Sequence, residues 1–90
     1  MLKILEDLVL LARQRKSNPI NGSYTNKLLE DKKLAKEKVI EEVNELIEAV
    51  EKNSNKIHEA ADVLYHLIIY LEANGVQIEE IMGELSNRKK

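Results

Sequence analysis

Cysteine, phenylalanine and tryptophan are all absent from this 90-residue chain. Without cysteine, neither a disulfide nor a thiolate metal site can brace the fold. Any metal must then be held by oxygen ligands, with histidine as the available nitrogen donor. With no Phe or Trp and only three Tyr, the core must be aliphatic. An excess of one charge is missing too. The net charge is −2 with acids and bases interspersed, too balanced for a nucleic-acid or membrane footprint. No apolar run reaches the length of a membrane span. The start, MLKILEDLVLLARQRK, is apolar but carries Lys3, Glu6 and Asp7, and it lacks a basic start and a small-residue cleavage site. It does not read as a signal peptide, and a cytoplasmic protein is expected.

A chain of this length is expected to form one domain over residues 1–90. It is marginally stable alone, because a short chain buries a smaller share of its surface. Apolar residues recur with helical spacing at Leu2, Leu5, Leu8, Val9 and Ala12, which predicts a helix over 2–16. SNPINGS follows, with the only proline. Pro19 drives Asn18 out of the helical region, and Asn21-Gly22 is a turn pair. Ser23 can cap a short helix, YTNKLLE. A long helix is predicted over 32–52, packing through Val39, Val43, Leu46 and Val50, with Glu42 and Glu45 at the edge of that stripe. KNSN breaks it, and Ser54 or Asn55 can cap the next helix. That one runs to about Asn74 and stops at Gly75, a usual left-handed terminator. A last helix follows in VQIEEIMGELSNRKK, where Gln77 replaces the expected Ser or Asp cap. The class is all-α, an antiparallel bundle of four to five helices.

The helix before Gly75 is apolar on nearly every side except around Glu59, Asp62 and His66. Such a helix is a buried one. A lone bundle of this size cannot enclose it, so completion of the fold by a second copy of the chain is expected.

Two acid pairs stand out. Glu42 and Glu45 are spaced i, i+3 on the long helix, as are Glu59 and Asp62 on the next. Residues three apart share a helical face, and a short connection makes the two helices antiparallel neighbours. The four acids can therefore converge. Carboxylates that close repel and lose hydration, which protonation or a divalent cation relieves. An all-oxygen set suits Mg²⁺ or Mn²⁺. The bland alternative is a solvated charged face; Glu59 and Asp62 interrupt an apolar helix, where such a face is hard to arrange. Glu41 is turned about 100° away and is an outer ligand or a wet side chain. Lys38, one turn before Glu42, can pair with that acid or meet a phosphate. His66, one turn after Asp62, is a satisfied interior histidine or a contributor to the site.

KVIEEVNE, then EAADVLYHLIIYL, then GVQIEEIMGEL resembles phosphoribosyl-ATP pyrophosphatases. RKSNPINGSYTNKLL resembles the same family upstream. The wider group is the all-α nucleoside triphosphate pyrophosphatases, including MazG-like proteins, whose signature EExxE…ExxD reads here as Glu41, Glu42, Glu45, Glu59 and Asp62. Ser23-Tyr24-Thr25, Lys27-Leu28-Leu29 and Tyr65-His66 narrow it to the phosphoribosyl-ATP branch. Ile40 departs from the glycine often found before the paired Glu.

The resemblance implies Mg²⁺-dependent hydrolysis of the α–β phosphoanhydride of 1-(5-phosphoribosyl)-ATP, a step of histidine biosynthesis. It implies a homodimer and a phosphoribosyl-AMP cyclohydrolase as pathway neighbour. Carried onto this chain, it makes Glu42, Glu45, Glu59 and Asp62 metal ligands. Glu41 becomes a second-tier ligand or orients the attacking water. Lys38 and Lys27 neutralise phosphate oxygens, and Tyr24, Thr25 and His66 lie near the substrate. Tyr24 as a loop staple and Lys27 as a surface charge are the plain alternatives. Arg13, Arg15 and Lys16 are candidates for the ribose 5-phosphate or form a solvated helix end. The rival functions are a house-cleaning pyrophosphatase acting on non-standard nucleotides and a non-catalytic helical interaction module.

Overall fold

The computed structural model describes residues 1–89. Five helices follow one another: α1 (Lys3–Ser17), α2 (Tyr24–Glu30), α3 (Lys32–Lys52), α4 (Lys56–Ala73) and α5 (Ile78–Arg88). No strand occurs among the described residues. The helical bundle expected from the apolar spacing is what forms.

The breaks have local causes. The Ser23 hydroxyl starts α2 by accepting the Asn26 N–H at 3.2 Å. Asp31 separates α2 from α3 and caps the latter, its carboxylate accepting the Leu34 N–H at 3.0 Å. Asn53 (φ 52°) and Asn55 (φ 61°) both turn left-handed between α3 and α4, a conformation asparagine tolerates better than most residues. Asn55 holds the cap position of α4, but its side chain makes no cap hydrogen bond. The expected Asn or Ser cap is thus realised by backbone shape rather than by a side-chain oxygen. Gly75 (φ 72°) follows α4 as expected.

The tight Asn53–Asn55 turn makes α3 and α4 an antiparallel pair, and theirs is the most extensive helix contact. α2 packs on both, and α1 on α2 and α4. The aliphatic core gathers Ala12, Leu28, Leu29, Ala35, Ile69 and Ala73, where the start of α3 meets the end of α4. The acid-bearing segments lie further along the same seam.

One expectation is corrected here. The buried residues of α3 are Ala35, Glu42 and Ala49, spaced two turns apart. Val39 and Leu46 are half-buried, whereas Val43 is 37% and Val50 55% exposed. Small alanines let α4 approach closely, and the close approach takes Glu42 into the seam rather than its edge. Ile40, Val43, Ile47 and Val50 then face outwards. In α4, His66, Ile68 and Ile69 are buried, while Ile57, Leu64 and Leu67 are exposed.

The last helix, α5, has no buried residue. Arg13 ties it down, donating to both Glu79 oxygens at 2.9 and 2.6 Å and to both Glu72 oxygens at 3.3 Å. Lys16 adds a bond to the Glu72 carbonyl at 2.7 Å. The basic end of α1 is therefore a structural clasp, not the solvated end that was the plain alternative.

Candidate functional site

Two carboxylate-bearing turns face each other across the α3–α4 seam. Glu42, Glu45 and Glu59 each bring a carboxylate oxygen within 4.8 Å of the others. His58, Glu59 and Asp62 form a second such triad, with Glu59 common to both. Glu59 thus joins two groups of three: it meets Glu42 and Glu45 across the seam and Asp62 with His58 along α4.

The cluster is electrostatically unsatisfied. Glu42 is only 7% exposed. Oε2 of Glu42 and Oε2 of Glu59 are buried with no hydrogen-bond donor in reach. Burying an unpaired carboxylate costs roughly several kcal/mol even after relaxation. Burial raises the Glu42 carboxyl above its ordinary range, and Glu45 and Asp62 push it the same way against His66. Burial and Glu45 likewise raise Glu59, with His58 opposing. Oxygens that want positive charge and find no donor fit a hard divalent cation. Glu42, Glu45, Glu59 and Asp62 are the residues that can hold it.

Glu41 is not brought into this group. It is exposed and accepts from Lys38 Nζ at 3.3 Å. The pairing foreseen for Lys38 with Glu42 is therefore replaced by one with Glu41, because Glu42 turns inwards. That bond raises the Lys38 ammonium above its ordinary range.

His66 is buried and both ring nitrogens are engaged. Nδ1 lies 2.8 Å from the Asp62 carbonyl oxygen, and Nε2 lies 3.0 Å from the Tyr24 hydroxyl. A carbonyl only accepts, so Nδ1 carries a proton; in the neutral ring Nε2 then accepts from Tyr24. This chain of bonds joins α2 to the turn that bears Asp62. Thr25 is buried and its hydroxyl is bonded to that of Tyr65. Tyr24 itself is 45% exposed and stacks near Tyr65, ring centroids 6.4 Å apart.

Tyr24 also lines an open cavity of about 620 Å³, which is bounded by the 19–23 loop, Asn26, Lys27, Glu30 and Asp31. Lys27 is exposed there. Arg15 reaches the Ser23 hydroxyl of the same loop at 2.7 Å.

Sequence reasoning missed two residues. Asn26 is buried; its Oδ1 accepts the Ile20 N–H at 3.0 Å and its Nδ2 donates to the Arg15 carbonyl at 2.9 Å. It holds both ends of the loop that shapes the cavity. Only its place beside buried Thr25 and Leu28 signals this, and that burial is tertiary. His58 stands four residues before Asp62, and its Nε2 is 3.3 Å from Asp62 Oδ2. That spacing was visible in the sequence.

The family model for phosphoribosyl-ATP pyrophosphohydrolase matches residues 5–89. The chain belongs to this family. Its members are hydrolases by that description. Relatives of the family include a phosphoribosyl-ATP pyrophosphatase of Clostridium acetobutylicum, 43% identical over 94 residues, covering 98% of this chain and 83% of the relative. One from Bacillus cytotoxicus is 42% identical over 94 residues, covering 98% and 85%. A histidine biosynthesis bifunctional protein HisIE of Pyrococcus furiosus is 41% identical over 90 residues, covering 99% of this chain but 43% of that protein. The chain thus spans most of its single-function relatives and less than half of the bifunctional one. No helix among the described residues is long and apolar enough to cross a membrane.

Proposed function

We propose that this chain adds water across the α–β phosphoanhydride of 1-(5-phosphoribosyl)-ATP, releasing phosphoribosyl-AMP and pyrophosphate, in a magnesium-dependent step of histidine biosynthesis. The observation that carries this reading is the meeting of Glu42 and Glu45 with Glu59, itself grouped with Asp62, and two buried carboxylate oxygens that have no donor. Family membership and the names of the relatives support the substrate.

An acidic cluster alone repels a triphosphate. Bound Mg²⁺ supplies the opposite charge, polarises the phosphoryl oxygens and lowers the pKa of coordinated water. The rest falls to the chain. Glu42, Glu45, Glu59 and Asp62 would hold the ion. Lys38, steered by Glu41, offers its ammonium to the triphosphate oxygens. His66 fixes Tyr24 against the Asp62 turn, so the exposed Tyr24 ring stands at a set distance from the acids. Thr25 acts through Tyr65 to hold that arrangement. The cavity beyond Tyr24 receives the phosphoribosyl half, with Lys27 for its phosphate and Glu30 as an acceptor for sugar hydroxyls. Arg13 and Lys16 take no part, since Glu72 and Glu79 occupy them.

We also infer a cytoplasmic homodimer, in which the outward aliphatics of α3 and α4 are covered by a second copy. The pathway neighbour is a phosphoribosyl-AMP cyclohydrolase, the activity that consumes the product; the bifunctional relative leaves room for a second activity beyond the part this chain matches.

The test is pyrophosphate release from phosphoribosyl-ATP with Mg²⁺, set beside release from the common dNTPs. Turnover of phosphoribosyl-ATP, abolished by chelator, is expected. Faster release from dNTPs would replace this reading with a house-cleaning pyrophosphatase. Failure to bind Mg²⁺ in calorimetry would leave a helical interaction module.

A further inference from the structure

We propose that Arg15 anchors the phosphomonoester of the phosphoribosyl group, helped by the Ser23 hydroxyl and Lys27, and so sets the preference for a ribosylated nucleotide over an ordinary one. The proposal rests on the reading of the cavity beside Tyr24 as the seat of the phosphoribosyl half. It goes beyond that reading in naming the side chain that recognises this half.

Three basic side chains end α1, and the fold occupies two of them. Arg13 is paired with Glu72 and Glu79, and Lys16 donates to the Glu72 carbonyl. Arg15 forms no ion pair among the described residues. It is half-buried, and its guanidinium bond runs from Nη1 to the Ser23 hydroxyl at 2.7 Å. A half-buried guanidinium that keeps most of its donors free and meets no carboxylate fits an anion supplied from outside.

Ser23 links that charge to the cavity. It lines the space of about 620 Å³ together with Lys27. Its Oγ accepts from Arg15 Nη1 at 2.7 Å and from the Asn26 N–H at 3.2 Å. Those bonds use both lone pairs of the hydroxyl oxygen, so the Ser23 proton is left for a third partner. Lys27, one turn on, is exposed at the same cavity and also forms no ion pair among the described residues. A planar fork, a hydroxyl and an ammonium are a donor set suited to a phosphomonoester.

Glu30 and Asp31 line the cavity too. The Asp31 carboxylate caps α3 through the Leu34 N–H, and Glu30 remains to accept from sugar hydroxyls. The walls therefore suit a phosphorylated sugar rather than a bare polyanion.

The competing explanation is that Arg15 serves only the fold, by facing the negative end of the α1 dipole and tying the loop. Any cation in the last turn meets the dipole, and Lys16 stands there as well. A loop tie needs only a neutral donor, and Asn26 already joins the loop to α1 through the Ile20 N–H and the Arg15 carbonyl. Neither task calls for a guanidinium.

The experiment uses the full chain, ¹⁵N-labelled, with and without Mg²⁺, as wild type, Arg15→Lys and Arg15→Gln. Glutamine keeps a donor for Ser23 and loses the charge; lysine keeps the charge and loses the fork. The probe is ribose 5-phosphate, followed by the amide signals of Gly22, Ser23 and Lys27. Ribose and inorganic pyrophosphate are the controls. Wild type is expected to bind ribose 5-phosphate at those amides at millimolar concentration or below, and not ribose. Arg15→Gln should weaken this binding at least about tenfold, as loss of a charge-assisted hydrogen bond does, with Arg15→Lys in between. The Asn26 side-chain amide signal, which reports the loop, should hold its position in both variants. Arg15→Gln should also raise KM for phosphoribosyl-ATP at least about tenfold, with a smaller change in kcat.

Equal binding by wild type and Arg15→Gln overturns the assignment. A displaced Asn26 signal in Arg15→Gln does so as well, since it makes Arg15 a loop residue. So does pyrophosphate that binds these amides more tightly than ribose 5-phosphate without Mg²⁺, which gives the site to the nucleotide's tail. Ribose 5-phosphate binding without turnover of phosphoribosyl-ATP overturns the proposed reaction and leaves this site standing. Turnover without such binding overturns this inference alone.

Discussion

Glu42 and Glu59 face each other across the α3–α4 seam, each with one buried carboxylate oxygen that no donor reaches. Both acids are raised by burial and by Glu45. In the absence of metal the folded state therefore stores repulsion that the unfolded chain does not have. Neutralising one acid should relieve it. Glu42→Gln is expected to melt higher than wild type in chelator at neutral pH, by about 5 °C. It should also lose the rise in melting temperature expected of the wild type with Mg²⁺, and its pyrophosphate release should fall at least about a hundredfold. A variant that melts lower and still responds to Mg²⁺ would contradict the role of Glu42.

The same pair sets a pH dependence. A carboxyl whose folded pKa is raised above its unfolded value, here 4.5, binds protons better when folded. Its stabilising contribution is complete below the unfolded value and is lost as pH rises through the folded one. The metal-free protein should thus gain stability as pH falls from neutral towards 5. Glu79 acts in the opposite direction: its hydrogen bond with Arg13 holds it down to about 2 from 4.5. That contribution is present above 4.5 and lost as pH falls towards 2. Melting temperature against pH in chelator should therefore peak in mild acid. Glu42→Gln is expected to flatten the neutral limb and Glu79→Gln the acid limb. Monotonic behaviour in the wild type would refute the assignment.

Asn26 offers a separation of binding from chemistry. Its two side-chain hydrogen bonds join Ile20 to Arg15 around the cavity loop. Asn26→Ala leaves both backbone groups without their partner, at a stability cost of about 2 kcal/mol. Because the acid cluster is untouched, KM for phosphoribosyl-ATP should rise more than kcat falls. A loss confined to kcat would place Asn26 in the chemistry instead.

Ile40, Val43, Ile47 and Val50 on α3 and Ile57, Leu64 and Leu67 on α4 are exposed in one chain. These helices are the longest in the fold, and their outer faces carry these aliphatic side chains. Sedimentation should find the wild type dimeric, and Ile47→Glu combined with Leu64→Glu monomeric with its helices intact. A monomeric wild type at micromolar concentration would remove the dimer from the proposal.

The helix ends were readable because their causes are local. Pro19, Ser23, Gly75 and the Asn-rich turn act on their own backbone, whatever packs against them. The acid pairs were readable for the same reason, since i, i+3 spacing on a helix is a fact of its pitch. The direction in which α3 faces was not. Val39, Val43, Leu46 and Val50 form a good amphipathic stripe, yet the buried residues are Ala35, Glu42 and Ala49. Periodicity says which residues share a face, but not which face meets the neighbour. Where two helices approach closely, alanines can win that place over larger aliphatics, and the acid between them goes along.

By itself the amino-acid sequence determined an all-α chain of four to five helices, their order and the two acid pairs, because these depend on neighbours along the chain. Only the tertiary structure decided that Glu42 is buried rather than marginal, that Lys38 belongs to Glu41, that Arg13 clasps α5, and that Asn26 ties the cavity loop. Each of these depends on which residues distant in sequence share a few cubic ångströms. Burial and charge pairing are properties of that shared space and cannot be assigned to a residue in isolation.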